Sequence, residues 1–192
     1  MIDAEVVLDA AREVFIADGR IEVGELAQAV GVNRSTLYRR WGGRDGLLGE
    51  VIWSITAPTI DAAARRAPGE GAARIAATMG EFAAIANRAV HFTEFLRREP
   101  ERALRVMTTR AGGVQPRIVD KVAELVQAEV DAGAMTLPLP VHDLALILVR
   151  ITETFVYANV ITGEEPDAAK VAQACAAMLG VERSTVEWER AG

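Results

Sequence analysis

Two short helical stretches, joined by only three residues, lie near the N-terminus of this 192-residue chain. They are predicted over residues 23–30 and 34–41, and Gly31-Val32-Asn33 connects them. Such a short connection makes the two helices cross steeply and share one small core. Gly31 permits the left-handed backbone that the turn requires, and Asn33 suits the capping position of the second helix. The segment therefore predicts a helix-turn-helix whose second helix is held outward.

The side chains of this segment separate into an apolar set and a basic set. The apolar set is predicted to form the small core, and slim Ala27 lets the two helices cross closely. Its members are Leu26, Val30, Val32, Leu37 and Trp41. On the basic side, neither Asp nor Glu occurs between Glu25 and Asp45. The chain as a whole has a formal net charge of -6, so it does not bind nucleic acid through bulk charge, but it concentrates positive charge here.

The arginines of the second helix suit recognition of DNA bases. Nearly all positive charge in the chain is guanidinium, because lysine occurs only at positions 121 and 170. Arg34, at the start of the helix, is predicted to reach base edges in a major groove, where a guanidinium bonds guanine O6 and N7. Arg39 and Arg40 suit either bases or phosphates. The alternative interpretation is a solvated basic face on an ordinary three-helix core.

The hydroxyl groups of the same helix suit the DNA backbone. Ser35, Thr36 and Tyr38 are predicted to contact phosphate oxygens, which fix the register of a protein on DNA without reading sequence. Arg44, just beyond the helix, is given the same role. The complete predicted DNA-binding set is Asn33, Arg34, Ser35, Thr36, Tyr38, Arg39, Arg40 and Arg44.

Apolar residues recur at three- and four-residue spacing along the rest of the chain, and no strand-period segment occurs, which predicts an all-α protein. In the first helix the apolar residues that repeat at this spacing are Val6, Val7, Ala10, Val14 and Phe15. Helices are predicted over residues 2–18, 23–30, 34–41, 44–66, 71–87, 91–98, 101–109, 115–132, 141–161 and 167–179, with residues 136–140 extended. The expected organisation is an N-terminal three-helix DNA-binding domain at residues 1–46, followed by a C-terminal helical ligand-binding and dimerisation domain at residues 47–192.

The last two predicted helices suggest how two copies associate. Residues 141–161 carry apolar side chains on nearly every side, and a helix of that kind must be covered all round. Residues 167–179 present a stripe of small side chains that permits close helix approach. The two helices are therefore expected to form half of an intermolecular four-helix bundle. The predicted homodimer interface consists of Leu144, Leu148, Ala168, Val171, Ala172 and Cys175.

The helix-turn-helix resembles that of the TetR family. The likeness lies in residues 26–38 (LAQAVGVNRSTLY) and the aromatic Trp41, and it extends over about residues 2–52. Trp41 stands where the family more often has phenylalanine or valine, and Arg44 where lysine is usual; both keep the physical role. The resemblance implies a dimeric repressor or activator on a palindromic operator, with repression the expected sign. The helix at 44–66 would link the DNA-binding head to a ligand pocket, so that effector binding changes the separation of the two heads.

The resemblance also places a small effector among the fifth to eighth helices. The apolar side chains there would suit a hydrophobic effector, and the alternative for each is ordinary core packing. The predicted effector-binding residues are Met79, Phe82, Phe92, Met107, Glu153 and Tyr157. Two interpretations of the polar groups remain open: Arg150 and Glu153 pair with each other, or Glu153 and Tyr157 point into the pocket. Residues 95–102 resemble actinobacterial TetR regulators of quorum-signal degradation, which makes acyl lactones candidate effectors.

Other function classes find less support in the sequence. Cys175 is the only cysteine, the N-terminus is acidic, and the longest aliphatic run, residues 144–149, is too short for a membrane span, so the cytoplasm is expected and a membrane partner is not. His91 and His142 are interpreted as helix-start residues. No catalytic, metal or cofactor motif occurs, so no enzymatic activity is predicted. The alternatives are an all-helical enzyme or ligand carrier, and an adaptor that binds another protein.

Overall fold

The computed structural model describes residues 3–137 and 139–181. Within these ranges every regular element is a helix, as the spacing predicts. The helices are α1 (Ala4–Asp18), α2 (Val23–Ala29), α3 (Arg34–Trp41), α4 (Arg44–Arg66), α5 (Gly71–Arg88), α6 (Val90–Arg98), α7 (Pro100–Thr108), α8 (Val114–Asp131), α9 (Val141–Val156), α10 (Ala158–Ile161) and α11 (Ala168–Met178). A short 3₁₀ turn, Arg110–Gly112, precedes α8. The predicted helix start at residue 2 and Pro138 of the extended connection lie outside the described residues.

One predicted helix is two in the structure. The helix predicted over residues 141–161 is interrupted at Tyr157, which separates α9 from α10. Neither glycine nor proline occurs from residue 141 to 161, so the sequence carries no breaker that could mark this position. The other predicted helices agree with the structure to within about two residues at each end, the usual uncertainty of helix ends.

The buried face of α1 uses only part of its apolar pattern. Its buried side chains are Val7, Ala11 and Phe15, which follow one another at four-residue spacing. Val6 and Val14, which also belong to the apolar repeat, are 55% and 36% exposed. Periodicity therefore located the helix but not its buried stripe.

The chain divides into two compact units. The first consists of Met1–Ala57 and Ala89–Arg117, and the second of Pro58–Arg88 and Ile118–Gly192. The first unit thus contains α1 to α3, the first part of α4, α6 and α7. This division by packing differs from the functional boundary expected between residues 46 and 47, which remains a prediction.

In the first unit, α1 packs on α6. The Phe15 ring meets the rings of Phe95 and His91 edge-on, with centroid distances of 5.4 and 5.8 Å. Gly19 ends α1 in the left-handed conformation, and a Cβ at this position would lie 2.8 Å from the carbonyl oxygen of His91. No larger residue fits where the end of α1 contacts α6 so closely. This contact fixes the end of α1 to α6.

In the second unit, α5, α9 and α11 pack together. A Cβ added to Gly80 of α5 would lie 2.6 Å from the Cβ of Ala172 in α11, so the two helices cross in direct contact. Beside them, the buried carboxylate of Glu129 accepts hydrogen bonds from the Gly71 amide at 2.7 Å and from Arg74 at 2.9 Å.

None of the described helices is both long enough and apolar enough to cross a lipid bilayer.

Candidate functional site

The second helix of the helix-turn-helix, α3, is capped at both ends. Asn33 Oδ1 accepts hydrogen bonds from the amide and the hydroxyl of Ser35, both at 2.9 Å. At the other end, Gly42 adopts a left-handed φ of 71° and its amide donates to the Tyr38 carbonyl at 2.8 Å. Leu37 is the buried side chain of the helix. An eight-residue helix is held in place by these contacts rather than by its own length.

The small core beneath α3 is narrower than the predicted one. Leu26 and Leu37 are buried, together with the slim Ala27. Val30, Val32 and Trp41 are only half-buried. Gly31 has a φ of 69°, as the turn requires. Of the five predicted core residues only Leu26 and Leu37 are therefore buried, Val23 is buried with them, and the ring of Trp41 lies partly at the surface.

The outward face of α3 carries most of the predicted DNA-binding residues. The exposed ones are Asn33, Arg34, Ser35, Tyr38, Arg39 and Arg40, and Thr36 is half-buried. Arg34 Nη2 donates to the Tyr38 hydroxyl at 2.9 Å, and its guanidinium lies 5.2 Å from the centroid of that ring. The Arg40 guanidinium lies 5.5 Å from the Trp41 ring. The face thus offers guanidinium and hydroxyl groups to solvent from one rigid helix.

Arg44 does not belong to this exposed face. Its Nε donates to the Ile21 carbonyl at 2.6 Å, while Nη1 and Nη2 donate to the two carboxylate oxygens of Glu99 at 2.9 and 2.6 Å. All three guanidinium nitrogens of Arg44 therefore already donate hydrogen bonds within the protein. The phosphate contact predicted for Arg44 would have to compete with these bonds. Sequence reasoning missed Glu99 because it lies 55 residues further along the chain.

A wider cluster of charges surrounds this pair. Arg102 donates to both Glu99 and Asp45, and Arg105 donates to Asp45 at 2.8 Å. Burial by itself raises the pKa of Glu99, but hydrogen bonds from Arg44 and Arg102 outweigh it and hold that pKa below its ordinary value. Glu99 is therefore ionised at neutral pH. Local spacing indicates only the Glu99–Arg102 pair, which lies three residues apart at the start of α7.

The predicted effector-binding residues are divided between the two units. Phe92 and Met107 belong to the first unit, where Phe92 is half-buried and Met107 buried. The second unit holds Met79 and Tyr157, both buried, and Phe82 and Glu153, both half-buried.

Glu153 carries the unusual electrostatics of the second unit. Arg150 Nη1 donates to Glu153 Oε2 at 2.7 Å, so the i, i+3 pair that the sequence suggested is formed. The other oxygen, Oε1, is buried and has no hydrogen-bond partner among the described residues. The same is true of Oδ1 of Asn87. Burial raises the pKa of Glu153 although Arg150 opposes it. Burial and the nearby Glu153 charge also raise the pKa of Tyr157.

The residues predicted to form the dimer interface pack inside the protomer. Five of the six, all except half-buried Ala168, are buried in the second unit: Leu144, Leu148, Val171, Ala172 and Cys175. The small-residue stripe does permit close helix approach, but its partner is α5 of the same chain, through Gly80. Burial raises the pKa of the Cys175 thiol to about 12, so it is not a thiolate at neutral pH. Five of the six side chains therefore pack within the protomer, and the position of the dimer interface stays a prediction.

The two histidines lie near helix starts, as expected. His91 is the second residue of α6, and burial lowers its pKa. His142 is the second residue of α9 and is exposed. Among the described residues, no group of three or more His, Cys, Asp and Glu side chains could hold a metal ion.

Comparison with known proteins identifies both parts of the chain. Residues 7–51 match the family model described as bacterial regulatory proteins, tetR family. Residues 70–180 match the model described as tetracyclin repressor-like, C-terminal domain. A search of curated proteins finds no match.

Solved structures agree with these matches. The structure of the R. erythropolis transcriptional repressor QsdR, of the TetR family, is similar with a TM-score of 0.86 and 30% identity, over 93% of this chain and 95% of that one. The TetR family repressor AlkX from Dietzia sp. strain DQ12-45-1b, implicated in biodegradation of n-alkanes, is similar in fold, with a TM-score of 0.59 and 22% identity, over 91% and 93% of the two chains. Because the C-terminal model alone spans more than half of the sequence and a 30% identical repressor matches along nearly all of it, the chain belongs to the TetR family of transcriptional regulators.

Proposed function

We propose that this TetR-family regulator is a repressor that binds a palindromic operator as a homodimer and is released by a small hydrophobic effector. Members of the family are DNA-binding regulators, not enzymes. The observation that carries the proposal is α3, a capped helix whose exposed face bears Arg34, Tyr38, Arg39 and Arg40. Such a helix fits the major groove with its N-terminal residues towards the bases.

The proposed DNA contacts follow the geometry of α3. Arg34, at the N-terminal end, reads base edges, while Arg39 and Arg40 at the other end reach bases or phosphates. Asn33, Ser35, Thr36 and Tyr38 contact the backbone or hold those arginines. Because Arg44 is engaged by Glu99, its predicted phosphate contact is not retained in this proposal.

The DNA-binding function is tested by selecting operators from a random DNA library with the full chain. We expect an enriched inverted repeat, and affinity for it that falls with added salt as counterions return to the DNA. The variant Arg34→Ala/Arg39→Ala should lose most of this affinity. Arg65→Ala/Arg66→Ala, which removes two exposed arginines from the last turn of α4, is the control with the same charge change. Equal affinity of the two variants would contradict the assignment of α3.

The dimer is proposed to form through the outward faces of α9 and α11, since their inward faces pack the protomer. Leu146 of α9 is 36% exposed, and Gln173 and Ala177 lie on the exposed side of α11. We expect sedimentation to give a dimer for the wild type and a monomer for Leu146→Glu. Val6→Glu, which charges an exposed valine of α1, should stay dimeric. If the wild type is a monomer, the proposed homodimer is wrong. If Leu146→Glu is still a dimer, the interface does not include Leu146 and lies elsewhere.

The effector is proposed to be mainly apolar with at least one hydrogen-bond donor. Within the second unit, Met79 and Phe82 supply apolar surface, whereas Glu153 Oε1 is a buried acceptor that the described side chains leave unsatisfied. A buried acceptor of this kind is costly unless a ligand or water supplies a donor. Tyr157, one turn from Glu153, completes the proposed set. The resemblance of residues 95–102 to TetR regulators of quorum-signal degradation makes acyl lactones the effector class of this proposal.

Release from DNA tests the effector. We expect a medium-chain N-acyl homoserine lactone to dissociate the operator complex, and the fatty acid of the same acyl chain to do so less well, because its carboxylate is repelled by Glu153. Glu153→Ala should weaken the response to the lactone without changing operator affinity in its absence. A response to the fatty acid equal to that of the lactone would contradict the proposed donor contact.

A further inference from the structure

A cluster of five charged side chains joins the start of α4 to the corner between α6 and α7, within the first unit. Its members are Arg44 and Asp45 of α4, Glu99 at the corner, and Arg102 and Arg105 of α7. Arginine is one of the residues that commonly donate to DNA phosphates. The three arginines of this cluster instead donate to carboxylates of the protein itself.

Arg44 is the most tightly held of the three. Its side chain is 16% exposed, and that of Glu99 is 15% exposed. Each of its three nitrogens donates a hydrogen bond, one to the Ile21 carbonyl and two to Glu99. A bidentate pair of this kind fixes orientation as well as distance. Arg34, by contrast, is exposed and bonds only within α3.

Arg44 lies so close to α3 in the chain that its contacts also restrain that helix. Gly42 and Gly43 alone separate it from the end of α3, so whatever holds Arg44 also holds the C-terminal end of that helix. Ile21 lies in the loop between α1 and α2. Arg44 therefore connects the α1–α2 loop, the α3–α4 corner and the α6–α7 corner.

Neighbouring contacts reinforce the same junction. The Asp45 carboxylate accepts hydrogen bonds from Arg102 at 2.9 Å and from Arg105 at 2.8 Å. These two bonds join α4 to α7. One turn later, a Cβ on Gly49 would lie 2.6 Å from the Gly112 carbonyl oxygen, which leaves space for glycine alone. The first turns of α4 are thus fixed by both charge and close packing.

We propose that Arg44 is a positioning residue: it sets the angle at which α3 is presented, through Glu99, and does not itself contact DNA phosphate. The proposal rests on the DNA-binding function proposed above and assigns Glu99, which carries the same sign of charge as DNA, a part in DNA affinity. The usual electrostatic expectation is the reverse, since removal of a negative charge from a DNA-binding head strengthens binding.

The test compares salt dependence across variants, using the operator selected from random DNA. Arg44→Ala, Arg44→Lys and Glu99→Gln should each lower affinity by about tenfold or more, because each breaks a partly buried pair. The slope of log affinity against log salt should stay that of the wild type, and the Arg44→Ala/Glu99→Gln double variant should be no weaker than Arg44→Ala. Glu101→Gln, which neutralises an exposed carboxylate two residues away, is the control and should bind as the wild type or more tightly.

The opposite results overturn the proposal. If Arg44 contacts phosphate, Arg44→Ala lowers the salt slope by about one, Arg44→Lys keeps most of the affinity, and Glu99→Gln binds as tightly as the control. Hydrogen exchange gives a readout without DNA: Glu99→Gln should speed exchange of the α3 amides, whereas Glu101→Gln should not. Unchanged exchange in Glu99→Gln also overturns the proposal. A wild type that selects no operator would instead refute the proposed function, and the exchange measurement would still decide the role of Arg44.

Discussion

Tyr38 lies one turn after Arg34 on α3, and its hydroxyl accepts a hydrogen bond from Arg34 Nη2 at 2.9 Å. The same guanidinium lies 5.2 Å from the centroid of the Tyr38 ring. Both side chains are exposed, so their interaction is a property of the free surface of the helix. It limits the rotamers open to Arg34 before DNA arrives, and a restricted side chain loses less entropy when it binds.

The first prediction concerns this pair. Arg34→Ala should weaken operator binding by about 1–3 kcal/mol and reduce the preference for operator over unrelated DNA, since it removes the proposed base contact. Tyr38→Phe keeps the ring but removes the hydroxyl. If the hydroxyl acts by holding Arg34, Tyr38→Phe should lower operator affinity much less in the Arg34→Ala background than in the wild type. Dissociation constants of the four proteins give the coupling, and equal costs in the two backgrounds would assign Tyr38 an independent phosphate contact.

The second prediction concerns pH and His91. Burial lowers the pKa of this imidazole below 6.5, its ordinary value, so the unfolded chain takes up a proton at a higher pH than the folded one. Its contribution to stability is therefore complete above pH 6.5 and is lost as the pH falls towards the folded-state pKa. Thermal unfolding of the wild type should become less favourable relative to His91→Gln as the pH rises through this window. A constant difference between the two proteins from pH 5 to 7.5 would exclude this role; His142→Gln, at an exposed histidine, is the control.

The sequence predicted the helix-turn-helix well because its signals are local. The turn at Gly31, the cap at Asn33 and the buried Leu26 and Leu37 all depend on neighbours a few residues away, and the structure contains each of them. A short helix with a basic exposed face needs no distant residue to be recognised.

The unpredicted interactions that join separate helices depend on distant residues. Arg44 pairs with Glu99, 55 residues away, and no spacing rule could indicate that partner. The small stripe of α11 correctly indicated a close helix contact, but its pattern could not distinguish α5 of the same chain from a second copy. Packing partners are chosen by tertiary structure, which periodicity does not encode.

The third prediction separates the core of the second unit from its surface. Ala172 is buried against Gly80, so Ala172→Glu places a longer, charged side chain in a close contact between α11 and α5. We expect it to destabilise the fold by about 3 kcal/mol or more, rather than to yield a folded monomer. Ala177→Glu puts the same charge on the exposed side of α11 and should keep the helical circular dichroism of the wild type. A fully folded, monomeric Ala172→Glu would return this residue to the dimer interface.

The fourth prediction uses the unsatisfied oxygen of Glu153. Burial raises the pKa of this carboxyl above 4.5, its ordinary value, so the folded chain holds its proton to a higher pH than the unfolded chain does. Stability is therefore lost as the pH rises from 4.5 through the folded-state pKa, and at neutral pH the ionised group is a net cost to the fold. Glu153→Gln, which keeps an acceptor and removes the charge, should raise the unfolding temperature at pH 7.5, and the gain should disappear as the pH approaches 4.5. Glu13→Gln, at an exposed site of α1, should leave the unfolding temperature unchanged both at pH 7.5 and near pH 4.5. A lower unfolding temperature for Glu153→Gln at pH 7.5 would mean that the pair with Arg150 outweighs the cost of burial, and Glu153 would then be a structural residue instead of a polar group kept for a ligand.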